Sequence, residues 1–305
     1  MNKAEGYHQP VLLMEAVDAL NIKPNGIYVD VTFGGGGHSR EILKRLDKGG
    51  RLIAFDQDPD AKRNAIDDER FTLIDQNFGD MKNWLRLIKV TKVDGVLADL
   101  GVSSHQFDSE ERGFSIRFDA PLDMRMDQFR KQTAADVVNN YTEEQLVQVM
   151  RQYGEVDNAK GIVRSIMNAR PIATSGELKQ ALQRHLVRGR EHKILAQVFQ
   201  ALRIEVNEEL QMLKNMLQQS AELLNPDGRL VVISYHSLED RLVKDFMRSG
   251  NFEGESRKDF FGNLIRPLKP LSGKPVLPTE EEVSRNNRAR SAKMRIAIKL
   301  GVESN

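Results

Sequence analysis

The chain has no cysteine among its 305 residues and only one tryptophan. Without cysteine there can be no disulfide, no thiolate metal site and no thiol nucleophile, and the absence fits a cytoplasmic protein. Long apolar runs are also missing: stretches such as Leu230–Ile233 fall far short of the roughly 20 residues that cross a bilayer. The N-terminus shows no charged-then-apolar signal pattern. We therefore expect no membrane or secretory route.

The remaining composition is that of a folded protein. Apolar residues make up 40% and charged residues 29% of the chain, enough to bury a core. This length predicts one large domain and a smaller one. The net charge of +1 is unevenly distributed, since the segment from Arg241 to the end holds 14 basic and 8 acidic side chains. Such a segment can face phosphates, although a solvated surface is an equal alternative.

Short apolar runs alternate with helical patterns along the first hundred residues. The expected strands are 26–32, 51–56, 71–75 and 93–100. This alternation is typical of an α/β fold with a parallel sheet. After the Asn225–Gly228 turn signal, a buried strand at 229–234 and a final strand at 293–300 rejoin the sheet, with an irregular loop over 250–292.

Between the two sheet segments the strand signal disappears. Helix starts replace it, with capping boxes at Thr142–Gln145 and Thr174–Glu177. Apolar residues spaced by three and four predict one long helix from Leu195 to Leu217. We therefore expect a discontinuous cofactor-binding domain, 1–107 with 216–305, and an inserted helical domain, 108–215.

A glycine-rich turn follows the first expected strand. Asp30 precedes Thr32–His38, which contains four successive glycines, and Asp56 stands 20 residues after Gly36 at the end of the second strand. Glycines let a backbone approach a nucleotide-like ligand, and the later acid can accept ribose hydroxyls. Ser39 stands where a dinucleotide fingerprint has its last glycine, which disfavours NAD and favours S-adenosylmethionine. A merely flexible turn is the alternative.

Further motifs follow in a fixed order along the chain. They are Val29–His38, Asp99–Gln106, Glu111–Ser115, Pro121–Asp127, Phe199–Asn207, Ser234–Arg241 and Arg288–Ser291. Together they closely resemble the RsmH (MraW) family, which methylates N4 of a cytidine in bacterial 16S ribosomal RNA within the small subunit. The resemblance spans almost the whole chain.

The resemblance implies a class I (Rossmann-like) methyltransferase sheet with an inserted all-helical, substrate-recognition domain. It implies S-adenosylmethionine as the cofactor and 16S ribosomal RNA as the partner, in the cytoplasm. The implied cofactor contacts are Gly36, Gly37, His38, Asp56, Phe78, Asp99 and Gln106. Core packing is an alternative for Phe78, and a structural role for His38. Nothing in the sequence decides whether the chain forms a homodimer.

Methylation of a cytosine amine places demands on the catalytic residues. The N4 lone pair is delocalised into the ring, so a hydrogen-bond acceptor must draw it out and align it with the methyl group. Asp99 at the end of the fourth strand is the predicted acceptor, and His236 a candidate base or loop-orienting residue. Ser234 and Tyr235 can hold the base, and Tyr235, Phe114 or Phe118 can stack on it. No metal is needed.

Three rival functions remain at this stage. A DNA amino-methyltransferase lacks support because Asp99-Leu100-Gly101 replaces its usual Pro-Pro-aromatic motif. An NAD-linked oxidoreductase is disfavoured by the broken glycine pattern. A non-catalytic RNA-binding factor would keep the basic segments but need no cofactor pocket. The basic residues of the insert that can hold phosphates are Arg184, His185, Arg188, Arg190 and Lys193.

Overall fold

The computed structural model describes residues 10–102, 111–186, 189 and 191–301. The chain divides into two compact units. One comprises Met1–Gly101 with Leu210–Asn305 and is called the sheet unit here; the other, Val102–Glu209, is called the insert. Each boundary between the two units lies six residues before the predicted boundary. The first follows residue 101 instead of 107, and the second follows residue 209 instead of 215.

The sheet unit contains a seven-stranded mixed sheet. Its strands are β1 (Ile27–Asp30), β2 (Arg51–Phe55), β3 (Phe71–Ile74), β4 (Val93–Asp99), β5 (Leu224–Ser234), β6 (Leu268–Pro270) and β7 (Lys293–Lys299). Their order is β3-β2-β1-β4-β5-β7-β6. Neighbours among the first five strands are parallel, whereas β7 is antiparallel to both β5 and β6. Chain order runs outward in one direction from β1 to β3 and in the other direction from β4 to β5, so it reverses between β1 and β4. Open α/β sheets bind their ligands at such a point of reversal.

Helices cover both faces of this sheet. They are α1 (Leu13–Ala19), α2 (Gly37–Arg45), α3 (Met81–Leu87), α9 (Glu209–Leu223), α10 (Ser237–Ser249) and α11 (Glu280–Arg285). Successive strand residues point to opposite faces: Tyr28 and Leu52 belong to one buried cluster, Val29 and Ile53 to another. Strands buried on both faces explain the nearly unbroken apolar runs of the sequence. In the part of the chain that is described, no helix is long and apolar enough to cross a membrane.

The insert has its own hydrophobic core. Its helices are α4 (Ala134–Asn140), α5 (Glu143–Gln152), α6 (Ala159–Ala169), α7 (Ser175–Leu182) and α8 (Glu191–Asn207). The capping boxes predicted at Thr142 and Thr174 are confirmed, because each hydroxyl accepts the N–H three residues on while that residue's side chain reaches back. Fully buried Val163, Ile166 and Leu202 lie in the core.

The predicted single helix from Leu195 to Leu217 is wrong. Glu208 has a φ of 52° and separates α8 from α9. Leu195 and Leu202 pack in the core of the insert, whereas Leu213 and Leu217 pack against the sheet. Apolar spacing is nearly the same on both sides of the break, so periodicity could not reveal one residue in the left-handed region.

Two other expectations also need correction. Residues 250–292 are not irregular throughout, because β6 and α11 form within them. The strand β6 depends on pairing with residues of β7 that lie 27 to 31 positions away, which no local pattern indicates. The Asn225–Gly228 turn signal lies inside β5, where Asp227 has a φ of 65° and the register with β4 shifts. The strand continues through the turn signal with an irregular register, because five residue steps of β5 lie opposite two steps of β4.

Candidate active site

The candidate site lies at the carboxyl edge of the sheet, where β1 and β4 are neighbours. The Thr32 hydroxyl accepts a hydrogen bond from the Asp99 N–H at 2.7 Å. On the other side of β4, the Leu100 N–H donates to the carbonyl of Ile233 at 2.9 Å. These bonds fix the end of β4 between β1 and β5, so the Asp99 side chain has a defined position.

Asp30 ends β1 and organises the turn that follows. Its buried carboxylate accepts the Thr32 N–H at 3.1 Å and the Ser39 hydroxyl at 2.7 Å. Burial raises the pKa of Asp30, and these hydrogen bonds oppose the rise. Ser39, where a dinucleotide fingerprint would have glycine, thus joins the first turn of α2 to the end of β1.

The glycines of the turn have separate structural reasons. Gly34 and Gly36 have φ values of 50° and 74°, in the region that favours glycine. A Cβ on Gly36 would lie 2.8 Å from Cε2 of Phe33, and one on Gly37 would lie 2.1 Å from Cγ of Pro10. At Gly34 a Cβ would meet nothing within 4 Å. The turn is therefore tightly packed at its helix end and open at Gly34.

Asp56 follows β2 and braces the glycine turn. Its Oδ2 accepts the Gly34 N–H at 2.7 Å, and its Oδ1 accepts the Asp58 N–H at 2.8 Å. Burial is the main cause that raises its pKa to about 6, while both backbone donors lower it. Each carboxylate oxygen keeps a further acceptor position, so two vicinal hydroxyl groups could donate to it.

Asp99 is the third carboxyl group of this edge whose pKa is raised. The Tyr235 hydroxyl donates to its Oδ1 at 2.7 Å. Burial raises the pKa of Asp99 to about 7, the Tyr235 hydrogen bond lowers it, and the charges of Asp30 and Glu239 add to the rise. A carboxyl group with this pKa can exchange a proton near neutral pH, as a general base requires.

His38 lies beside Asp99 as a neutral ring. Burial lowers its pKa to about 4. Its Nε2 is 3.2 Å from the carbonyl oxygen of Val11, which can only accept, so Nε2 carries the proton. Nδ1 therefore presents a lone pair 3.9 Å from Oδ2 of Asp99. The pair is not a charged salt bridge, and 3.9 Å is too long for a hydrogen bond.

His236 caps a helix. It precedes α10, and its Nδ1 lies 3.4 Å from the Glu239 N–H, completing a capping box with the Glu239 side chain. Its Nε2 is 3.2 Å from Oε1 of Glu239, and the Tyr235 N–H donates to Oε2 of the same carboxylate at 2.9 Å. Nδ1 is thus directed at the start of α10, whereas the buried Nε2 makes no hydrogen bond with any described residue. Glu239 lies between the ring and the backbone of Tyr235.

The other predicted site residues are distributed more widely. Phe78 begins a short 3₁₀ helix (Phe78–Asp80) after β3 and is half-buried against the sheet core. Gln106 and His105 lie outside the described residues. In the insert, Phe114 is buried in the core whereas Phe118 is 38% exposed.

The sequence did not predict the hydrogen bond between Tyr235 and Asp99. Tyr235 was a candidate for holding or stacking on the base, yet its hydroxyl is 2.7 Å from Asp99, a residue 136 positions away. A tyrosine directly after a buried strand on the sheet's ligand-binding edge was the available signal. The identity of its partner depends on the pairing of β4 with β5.

The site fits a cationic, ribose-containing cofactor. Asp30, Asp56 and Asp99 end three adjacent strands, and burial raises the pKa of each. A bound positive charge would favour their ionised forms, the open space at Gly34 leaves room for a ligand, and Asp56 has acceptor positions for ribose hydroxyls. With the observed strand order, these features define a class I, S-adenosylmethionine-dependent methyltransferase.

Comparisons with known proteins identify the family. A family model described as the MraW methylase family matches residues 5–300. A ribosomal RNA small subunit methyltransferase H from Christiangramia forsetii is 58% identical over 297 residues, covering 96% of this chain and 98% of the relative. Its counterpart from Bacteroides fragilis is 56% identical over 296 residues, covering 96% and 97%. The chain therefore belongs to the MraW methylase family.

Proposed function

We propose that the enzyme transfers the methyl group of S-adenosylmethionine to N4 of one cytidine in 16S ribosomal RNA within the small subunit. The Asp99 carboxyl group carries this proposal, because its pKa of about 7 and its position on the ligand-binding edge suit a proton acceptor. That substrate assigns the activity to the cytoplasm. All groups invoked below come from one chain, so the chemistry does not require a homodimer.

The glycine turn and the acids beside it would hold the cofactor. We assign the backbone of Gly36 and Gly37 to the methionine part and the Asp56 carboxylate to the ribose hydroxyls. Phe78 would offer an apolar surface to the adenine, with Gln106 as a further contact. His38 would bound the pocket as a neutral ring, consistent with the pKa of about 4 that its burial causes.

Asp99 would act on the amine of the target base. The bound cofactor supplies an electrophilic methyl group and leaves as a neutral thioether, so no metal is required. The ionised Asp99 carboxylate accepts a hydrogen bond from N4–H, which draws the nitrogen lone pair out of conjugation. When N4 forms its bond to the methyl carbon, it becomes cationic and releases a proton to the carboxylate. A pKa near 7 favours that transfer at neutral pH.

Tyr235 and His236 would act mainly by positioning. Tyr235 holds Oδ1 of Asp99, which leaves Oδ2 for the amine. We infer that His236 orients Tyr235 through Glu239, since Glu239 accepts the Tyr235 N–H and lies 3.2 Å from the His236 ring. The insert would recognise RNA, and its described basic residues Arg184 and Lys193 are candidates for phosphate contacts.

Substitution of Asp99 tests the proposal. Asp99→Ala should lower kcat by at least about 100-fold, the usual contribution of a general base, while the fold is retained. Unmethylated small ribosomal subunits are incubated with labelled S-adenosylmethionine, and the modified base is mapped by mass spectrometry. Full activity of Asp99→Ala, or a methyl group on an atom other than cytidine N4, would refute the assignment.

The matched control lies on the same strand. Asp94 accepts the Ile27 N–H at 3.0 Å and pairs with Lys23. Because Asp94 is at the opposite end of β4 from Asp99, Asp94→Asn should lower the melting temperature without changing kcat. Circular dichroism on both variants separates loss of chemistry from loss of structure.

A further inference from the structure

A hydrogen-bonded hairpin projects from the sheet unit between α10 and β6. It comprises residues 257–265 and is called the Phe260 hairpin here. Lys258 and Leu264 form an antiparallel bridge, and the Ile265 N–H donates to the carbonyl of Arg257 at 2.9 Å. The Asp259 N–H donates to the carbonyl of Asn263 at 2.9 Å. The segment therefore has defined backbone geometry, although every residue in it is exposed.

Two phenylalanines occupy the tip of the hairpin. Phe260 is 98% and Phe261 86% exposed, and their rings meet edge to face with centroids 5.7 Å apart. The Asp259 carboxylate accepts the N–H groups of Phe261 and Asn263 at 2.9 and 2.8 Å. The turn is thus formed by the backbone and Asp259, and the two rings contribute no burial to the fold.

The base of the hairpin is firmly attached to the sheet unit. On one side Phe252 stacks on Phe246 with centroids 5.1 Å apart. On the other side Arg266 donates to the carbonyl of Arg248 at 3.1 Å, and the next strand begins with fully buried Leu268. The aromatic tip is therefore presented from a fixed base and not from a free chain end.

Cationic side chains flank the aromatic tip. Arg257 and Lys258 are exposed, and neither makes an ion pair with any described residue. Lys269 is exposed just beyond the hairpin. Asp259, the acid of the tip, is engaged by the two backbone N–H groups. Positive charge beside exposed aromatic rings is the pattern that binds single-stranded nucleic acid, because phosphates meet the cations and bases stack on the rings.

We propose that the Phe260 hairpin binds the RNA substrate, with Phe260 and Phe261 stacking on unpaired bases and with Arg257 and Lys258 contacting phosphates. The inference rests on the proposed function, which supplies an RNA substrate. A nucleic acid fits the hairpin better than a protein does, because the free cations require an anionic partner. Two small rings at a turn also offer little area for a stable protein interface.

The test replaces both rings in the full-length enzyme. Phe260→Ala/Phe261→Ala should raise the KM for unmethylated small-subunit RNA by about tenfold or more, since loss of one base–aromatic stack alone costs that much. kcat and the Kd for S-adenosylmethionine should not change, and the melting temperature should match that of the parent. Leu87→Ala is the control, because Leu87 is also an exposed apolar residue of the sheet unit, at 72%.

Two further double variants distinguish stacking from general apolar contact. Phe260→Tyr/Phe261→Tyr should restore the KM, whereas Phe260→Leu/Phe261→Leu should not, because leucine has no aromatic face. Equal rescue by leucine would indicate an apolar partner such as a protein surface or a second copy, and would overturn the proposal. An unchanged KM in the alanine variant overturns it as well. If the parent enzyme fails to methylate the RNA at all, the proposed function fails first.

Discussion

Asp99 combines a position imposed by the strands with a pKa imposed by its surroundings. The Asp99 N–H bonds to Thr32 and its carboxylate accepts from Tyr235, while burial raises the pKa to about 7. A raised carboxyl pKa disfavours ionisation in the folded protein, so the free energy of unfolding should fall as the pH rises from 3.8, the usual carboxyl value, to about 7 and stay level above it. The proposed proton acceptor therefore lowers the stability of the fold.

The pH dependence of the reaction should follow the ionisation of Asp99. Below about pH 7 the carboxyl group of the cofactor-free enzyme is protonated and cannot accept the amine proton, so kcat/KM for S-adenosylmethionine should rise with pH and level off above this value. In Tyr235→Phe the hydrogen bond that favours the ionised form is lost, and the inflection should move to higher pH. Rates measured between about pH 5.5 and 9 test both expectations.

The same variant separates positioning from direct catalysis. At a pH well above the shifted inflection, Tyr235→Phe should recover much of the parent rate because Asp99 is again ionised. An inflection at the same pH in parent and variant would show that Tyr235 does not control the ionisation of Asp99. A rate that stays low at every pH would instead make the Tyr235 hydroxyl part of the chemistry.

At the scale of elements, the glycine turn and α2 form the proposed cofactor end of the sheet. Gly36→Ala would place a methyl group at a φ of 74° and 2.8 Å from the Phe33 ring. We expect a destabilisation of about 1–2 kcal/mol from the left-handed conformation and a Kd for S-adenosylmethionine raised by about tenfold as the turn shifts. Calorimetric titration and thermal melting measure the two effects.

Gly273→Ala provides the comparison for this substitution. Gly273 has ordinary φ and no atom within 4 Å of an added Cβ, so both the melting temperature and the Kd should stay at the parent values. Unchanged cofactor affinity in Gly36→Ala would remove the turn from the binding site. Gly36→Ala would then lower the stability of the protein without affecting the cofactor.

The helices and strands also differ in how well the sequence predicted them. The capping boxes at Thr142 and Thr174 were predictable because each is complete within four residues. The break at Glu208 was not, since glutamate rarely adopts positive φ and the apolar spacing continues past it. The strand β6 was not predicted because it forms by pairing with β7. The Asn225–Gly228 turn signal did not end β5, which continues through it with an irregular register.

At the scale of the whole molecule, the chain contains two units with separate hydrophobic clusters. Ile166 is fully buried in the insert, and Ile166→Ala should cost about 2–5 kcal/mol there. Hydrogen exchange should show lost protection in insert peptides alone. The Kd for S-adenosylmethionine should stay unchanged, while methylation of RNA falls if the insert recognises the substrate.

Ile53→Ala is the matched change in the sheet unit, because Ile53 in β2 is equally buried. It should lower protection in the sheet peptides and weaken cofactor binding through Asp56, which directly follows β2. If either variant reduces protection equally in both units, the two cores unfold as one cooperative structure and the separation is wrong.

The sequence by itself determined the features that local chemistry specifies. A glycine-rich turn, an acid at or near the end of each of the first four expected strands and the periodicity of apolar residues indicated the sheet, its insert and the proposed cofactor edge. Asp99 and Asp56 were identified from such local patterns, and the family from motifs in order.

Only the tertiary structure decided which of these residues meet. Tyr235 reaches Asp99 across 136 positions, His38 turns a lone pair toward the same carboxyl group, and His236 caps a helix. The pKa of Asp99 likewise depends on burial and on carboxylates from distant segments. Such relations arise from strand pairing and from the exclusion of water, which bring distant segments together and leave no signal within a few neighbouring residues.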